Sequence, residues 1–272
     1  MKRPIPSTGE LLPVIGLGTS GSFEVALGSA QYAQLRTVLE RFVAAGASVI
    51  DTAPTYGNAE EVLGLLLQEA GVRARVFLAT KLSRVRGRRA GLAQFRGSLK
   101  RLKTERIELL QIHNLDDWKV QLGVARELQH EGKVKYVGVT HYDEARHDVL
   151  ADVLQQTRPD FVQVNYSVTN RGAERRLFPL ARDLGIAVLA NRNFNDGALF
   201  AQVQGKALPS WAKQIGIDCW AQLLLRFVLS HEAVTSMLPA TGKADRIVDH
   251  LNAPGPCLTR DQRDELIALV AQ

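Results

Sequence analysis

The sequence predicts an α/β protein: a single (β/α)8 TIM barrel with an extra helix at its C-terminal end. Three observations predict it. Apolar strand-like runs alternate with amphipathic helical segments along the whole chain, and there are eight such runs, the number that closes a parallel barrel. The runs are continuously apolar, as strands buried on both faces beneath helical crossovers must be. No Pro/Gly/Ser-rich tract or low-complexity linker interrupts the 272 residues, so residues 1–272 read as one domain.

The elements follow in order. Residues 14–18 read as a short buried strand. Residues 31–45 form an amphipathic helix with Leu35, Leu39, Phe42 and Val43 on one face, ended by Gly46. Val49 and Ile50 lead into Asp51. Asn58, with Glu61 three residues later, is a helix-start signature for residues 58–70. Residues 76–80 are a β-type run delivering Lys81, 91–102 a helix, and 107–112 a strand delivering His113. Helices over 120–130, 144–155, 173–184 and 219–229 alternate with strands over 134–139, 161–164, 186–189 and 234–238. Helices over 244–251 and about 259–270 complete the chain.

Composition narrows the function classes. Charged residues are 23% and hydrophobic residues 46%, ordinary for a globular protein. The net charge of +6 suits nucleic acid, a membrane surface or an anionic small ligand. No apolar run is long enough to span a bilayer, and with no apolar stretch after Lys2 and Arg3 no secretory leader is expected. Cys219 and Cys257 show no paired spacing, so a reduced, cytoplasmic setting is expected. Arg84, Arg86, Arg88 and Arg89 cluster after Lys81, but without aromatic interleaving they read as a solvated loop and nucleic acid is not expected. His130, His141, His147 and His231 lack paired ligand spacing, so no metal is expected. The segment Gly16-Leu17-Gly18-Thr19-Ser20-Gly21 matches GxGxxG, yet no helix opens at its third glycine, and a Rossmann reading is set aside.

In such a barrel the C-terminal ends of the strands form the active face. Asp51, Lys81 and His113 each stand directly after a strand, and Tyr56 lies in the first of those loops. A free tyrosine titrates near pH 10, too high for an efficient acid at neutral pH, and an adjacent ammonium lowers it. Lys81 supplies that charge, Asp51 holds Lys81 ionised, and His113 fixes the reacting oxygen. These four groups make a proton donor beside a polarised carbonyl but hold no electrons, so a cofactor must bring a hydride. The plainer alternative is that Asp51 caps a turn and Tyr56 packs on a neighbour.

The segments 51–57 (Asp-Thr-Ala-Pro-Thr-Tyr-Gly), 60–64, 79–81 (Ala-Thr-Lys), 109–113 (Leu-Leu-Gln-Ile-His), 138–140 and 163–166 together resemble the aldo-keto reductase superfamily over nearly the whole chain. The resemblance implies Tyr56 as general acid, Lys81 and Asp51 as its tuners, and His113 as the residue orienting a small carbonyl substrate. It implies NADPH across the C-terminal face. Gly18 and Thr19 would lie near the cofactor, as would Arg192 and Asn193. Thr140 and His141 would flank the nicotinamide, where many members carry Ser-Asn, and Gln163 would bond its amide. Asn191 stands where an aromatic ring often stacks, and loss of stacking loosens binding. Thr241, Lys243 and Arg246 would hold the 2′-phosphate at a helix start, and His250 replaces an Asn often at adenine. Phe23 and Trp118 are candidates for the substrate pocket. The chain ends at Gln272 directly after a helix, which implies an open, permissive site. Two other readings of the same residues are a cofactor-sensing binding protein of this fold and a metal-dependent barrel enzyme using Asp51, Lys81 and His113.

Overall fold

The computed structural model describes residues 1–271, and its centre is a barrel of eight parallel strands. After an N-terminal hairpin of β1 (Lys2–Pro4) and β2 (Leu11–Pro13), the barrel runs in sequence order through β3 (Leu17–Gly18), β4 (Val49–Asp51), β5 (Phe77–Leu82), β6 (Ile107–Ile112), β7 (Val134–His141), β8 (Phe161–Asn165), β9 (Ala187–Asn191) and β10 (Val234–Met237). Closure between β10 and β3 rests on single bridges: Gly16 N–H donates to Met237 O at 2.7 Å and Met237 N–H to Val14 O at 3.0 Å. This seam explains the glycines of the first strand. A Cβ on Gly18 would stand 2.9 Å from Leu238 O, and one on Gly16 3.0 Å from Val49 O. Gly18 is therefore required by the close approach of two backbones.

Ten helices accompany the strands among the described residues: α1 (Ala30–Ala44), α2 (Ala59–Glu69), α3 (Arg88–Arg101), α4 (Trp118–His130), α5 (His147–Thr157), α6 (Leu177–Asp183), α7 (Ala198–Gln202), α8 (Trp220–Leu229), α9 (Ala244–Leu251) and α10 (Arg260–Ala271). Ser29 caps α1 by accepting from Tyr32 N–H at 3.1 Å. The extra C-terminal helix is α10.

The structure departs from the sequence reading in several places. The sequence reading assigned no element before residue 14, where the structure places an N-terminal hairpin. It plugs the barrel floor: Ile5 and Leu12 join Val49, Phe77, Leu109, Tyr136, Phe161 and Leu189 in one buried cluster. Asn58 does stand before α2, but its side chain donates to Val25 O at 2.7 Å and makes no cap hydrogen bond. The segment 173–184 is not one helix. A 3-10 turn at Gly172–Glu174 precedes α6, because Pro179 clashes with a helical carbonyl four residues back and forces a fresh start. Arg88 and Arg89 belong to the first turn of α3, not to a loop, and Arg88 Nε donates to Glu127 of α4 at 2.9 Å. No helix is long and apolar enough to cross a membrane among the described residues.

Strand periodicity sorts the interior. On β5 the inward residues are Phe77, Ala79 and Lys81, and on β6 Leu109, Gln111 and then His113. The floor is mostly apolar, with the Tyr136 hydroxyl bonding outward to Thr8 and Glu10, and the polar groups Asp51, Lys81, Gln111 and Gln163 collect toward the C-terminal mouth.

Candidate active site

All four groups expected at the rim meet there. Lys81 is fully buried, and its Nζ donates to Asp51 Oδ2 at 2.5 Å and to Thr52 O at 2.8 Å. The same Nζ lies 5.0 Å from the centre of the Tyr56 ring. The His113 ring meets Tyr56 edge-on, with centroids 5.9 Å apart and planes at 84°. Asp51 is positioned by its strand and by Thr19, whose hydroxyl donates to Asp51 O at 3.1 Å. Thr19 thus holds the backbone of the site.

Electrostatics correct one expectation. Burial pushes the Tyr56 phenol above its ordinary value; the Lys81 ammonium pulls it down and is outweighed. The net direction is upward, because desolvation penalises a phenolate more than the neighbouring cation rewards it. The phenol is protonated at neutral pH, and the ammonium remains in place to favour any phenolate that forms. Burial pushes the His113 imidazole down to about 3, with the cations Lys81 and Arg84 adding to the effect. At neutral pH His113 is therefore uncharged and carries a single ring proton.

The Asp51 carboxylate is held by more than Lys81. Gln111 Nε2 and Gln163 Nε2 each donate to Oδ1 at 2.9 Å, and Asn191 Nδ2 donates to Gln163 Oε1 at 3.0 Å. Gln163 is thus largely committed inside the protein, with one lone pair of Oε1 left for a ligand. Sequence reasoning gave Gln111 no role. Its signal was a polar residue in an apolar strand, two positions before His113 and on the same face. Gly138 makes room for it: a Cβ there would lie 3.0 Å from the Gln111 side chain.

The expected cofactor residues line one side of the mouth. Thr140 is buried and pairs in register with Gln163. His141 stacks on Tyr142, and its Nδ1 accepts from Asp143 N–H at 3.1 Å. Arg192 lies 4.1 Å above the Tyr142 ring and 3.3 Å from Asp196. Asn193 Nδ2 donates to Tyr166 O and Ala190 O, both at 3.2 Å. Thr241 Oγ1 accepts from Lys243 N–H at 3.1 Å at the start of α9. Lys243 and Arg246 are exposed, and among the described residues no carboxylate lies within ion-pair reach of either. Buried polar atoms are normally hydrogen-bonded, yet Asn191 Oδ1, Asn193 Oδ1 and His250 Nδ1 have no partner among the described residues. Orphaned atoms along the mouth, with two unpaired cations at a helix N-terminus, fit a polar ligand that carries phosphate.

The two pocket candidates separate. Trp118 opens α4 half-buried beside the loop that follows His113. Phe23 is fully buried in the main core, because the turn from Thr19 to Phe23 folds its ring inward, so it lines no pocket. Backbone strain concentrates on this face. Of nine non-glycine residues at positive φ among the described residues, Arg84, Asn114, Leu115, Asp117, Arg192, Asn195 and Asp196 lie in loops after β5, β6 and β9. Such strain persists where surrounding structure over-determines it, commonly at sites. Among the described residues no three His, Cys, Asp or Glu side chains group as a metal site would need.

Burial also pushes His250 down to about 4, with Arg246 adding to it, and its ring packs on Phe194 at 5.3 Å. An unfolded imidazole titrates near about 6.5, so below that pH the unfolded chain binds more protons. The stability contributed by neutral His250 is full above about 6.5 and is lost as pH falls through the folded value. His250→Asn is therefore expected to flatten the fall in Tm between about pH 7 and about pH 4.5. Superimposable Tm profiles for the two proteins would contradict this.

Sequence and fold place the chain among known proteins. The sequence profile of the Aldo/keto reductase family matches residues 14–270. The chain is 32% identical over 204 residues to the aldo-keto reductase YhdN of Bacillus subtilis; the match covers 68% of this chain and 59% of that protein, under two thirds of its length. It is 28% identical over 249 residues to the NADH-specific methylglyoxal reductase of Escherichia coli, covering 78% of this chain and 73% of that protein. An aldo/keto reductase from Klebsiella pneumoniae, solved in complex with NADP and acetate, has a TM-score of 0.79 and 26% identity over 96% of this chain and 93% of its own. The chain belongs to the aldo/keto reductase family.

Proposed function

We propose that this protein reduces small aldehyde or ketone carbonyls to alcohols with NADPH, Tyr56 acting as the general acid. One observation carries the reading: Lys81 Nζ lies 2.5 Å from Asp51 Oδ2 and 5.0 Å from the Tyr56 ring, with His113 edge-on to that ring. When bound, the nicotinamide supplies the hydride that the protein lacks. The chain's own residues manage the oxygen. His113, uncharged, offers a hydrogen bond that holds the carbonyl oxygen near the Tyr56 hydroxyl. Tyr56 hands over its proton as charge builds on that oxygen, and the Lys81 ammonium stabilises the phenolate left behind. Asp51, fixed by Gln111 and Gln163, keeps Lys81 charged and in place.

The preference for NADPH rests on Lys243 and Arg246 at the start of α9. The Escherichia coli relative, described as NADH-specific, makes this the point to test. Lys243→Ala/Arg246→Ala is expected to weaken NADPH about tenfold or more, since hydrogen bonds to charged groups contribute about 1.5–3 kcal/mol, and to leave NADH affinity unchanged. Fluorescence titration reads both. Equal losses for the two nucleotides, or tighter NADH binding by the unaltered protein, would remove the 2′-phosphate assignment. Oxidation of NADPH over a panel of aldehydes and ketones, methylglyoxal included, tests the reaction itself. Tight nucleotide binding without turnover of any carbonyl would instead favour a cofactor-sensing role.

A further inference from the structure

The donor role of His113 depends on which ring nitrogen carries its proton. A neutral imidazole has one N–H, and the other nitrogen can only accept. If Nδ1 held the proton, Nε2 would meet a substrate oxygen with a lone pair and repel it. Something must select the Nε2–H form, and the residue beside His113 has the geometry to do so.

Ser83 Oγ lies 2.7 Å from His113 Nδ1. The contact follows from strand register. Lys81 pairs with Gln111 and Leu82 with Ile112, so the next position places Ser83 beside His113, on the inward side. Ser83 is buried, and its backbone is clamped from α3 at both polar atoms. Ser83 N–H donates to Gln94 Oε1 at 2.8 Å, and Gln94 Nε2 donates to Ser83 O at 2.8 Å. The hydroxyl therefore leaves a fixed point.

Proton counting then decides the direction of the bond. Among the described residues His113 Nδ1 is the sole hydrogen-bond partner of the Ser83 hydroxyl. Were Nδ1–H to donate to Oγ, the hydroxyl proton would be buried with no acceptor, which costs about 1–3 kcal/mol. With the hydroxyl donating to Nδ1, both groups are satisfied and the ring proton must sit on Nε2. Among the described residues Nε2 has no hydrogen-bond partner, so its N–H is the donor left over.

We propose that Ser83 is a positioning residue of this site: its hydroxyl donates to His113 Nδ1 and holds the imidazole as the Nε2–H donor for the carbonyl oxygen. The proposal rests on the reading of His113 as the group that orients substrate. Nothing in the sequence pattern of the strand singled Ser83 out; its partner came from register.

The test separates tautomer from turnover. Long-range proton–nitrogen correlation spectra of the ¹⁵N-labelled protein report which nitrogen of each histidine is protonated, and His113→Gln identifies the signals of His113 by their loss. The unaltered protein is expected to show the Nε2–H form. Ser83→Ala is expected to bring in the Nδ1–H form and to lower kcat by about 10- to 100-fold, the size usual when an orienting partner of a functional imidazole is removed, with NADPH affinity unchanged. Ser83→Thr, which keeps the hydroxyl, is expected to restore both the tautomer and most of kcat. An Nδ1–H form in the unaltered protein, or an unchanged tautomer in Ser83→Ala, overturns the proposal whatever the activity. A shifted tautomer with unchanged kcat overturns the positioning role and leaves carbonyl reduction standing. The spectra need no substrate, so failure to find a reducible carbonyl sinks the proposed reaction and still leaves the Ser83 bond decided.

Discussion

Tyr56→Phe is expected to lower kcat for carbonyl reduction by about 10²–10⁴-fold, the range general acid catalysis contributes, while NADPH binds with nearly unchanged affinity. The substitution deletes one oxygen and keeps the ring that packs against the core and edge-on to His113. Folding and the cofactor track are thus preserved, and what is lost is the proton. Burial keeps this phenol protonated at neutral pH, and the neighbouring groups are poor substitutes for it. His113, pushed down to about 3, holds no excess proton at neutral pH. The Lys81 ammonium is enclosed by Asp51 and Thr52 O. Steady-state rates with fluorescence titration of NADPH on the same samples measure the effect. Turnover within tenfold of the unaltered enzyme would remove Tyr56 as the acid.

Lys81→Met has the largest expected effect on stability. Removing one partner of a buried ion pair costs about 3–5 kcal/mol, because the other charge stays behind uncompensated. Here the abandoned group is Asp51, left with two amide donors, Gln111 and Gln163. Asp51→Asn strands the Lys81 ammonium in the same way, with Thr52 O as its remaining acceptor. The double variant is expected to be less destabilised than the sum of the singles by more than about 1 kcal/mol, as coupled neighbours are. Lys81 burial lowers its pKa, but the carboxylate of Asp51 and the phenol of Tyr56 raise it further, and the net direction is upward. Its contribution is thus complete below the unfolded ammonium value of about 10.4 and is lost as pH rises through the higher folded value. Urea unfolding at about pH 8 lies inside that window. Strictly additive losses in the cycle would show that the pair is not coupled as the 2.5 Å contact indicates.

The barrel was readable from the chain because parallel strands buried on both faces leave continuous apolar runs, and three of those runs lead directly into Asp51, Lys81 and His113. Asp51, Lys81 and His113 were found by position alone. Missed features share a different cause. The hairpin of β1 and β2 carries prolines and glycine that mimic a loop, and its purpose, sealing the floor beneath Tyr136 and Phe161, exists only once the barrel is closed. Gln111 looked like a single polar residue in a strand, and Ser83 like a loop residue just past one. Their partners, Asp51 and His113, are 60 and 30 residues away. Phe23 was misplaced because a turn, not a pattern, decides whether an aromatic after a glycine-rich segment faces core or cleft. The packing of Gly18 against the carbonyl of Leu238, across the closing seam, likewise could not be read from the chain.

The chain by itself thus determined the alternation of strands and helices and the rim on which Asp51, Tyr56, Lys81 and His113 meet, since periodicity and strand ends are local properties of sequence. Tertiary structure alone decided the net direction of the Tyr56 titration, the amide network around Asp51 and the bond between Ser83 and His113. Each of those depends on how much water is excluded and on which side chains stand opposite across strands, and both are set only when eight distant segments close on one another.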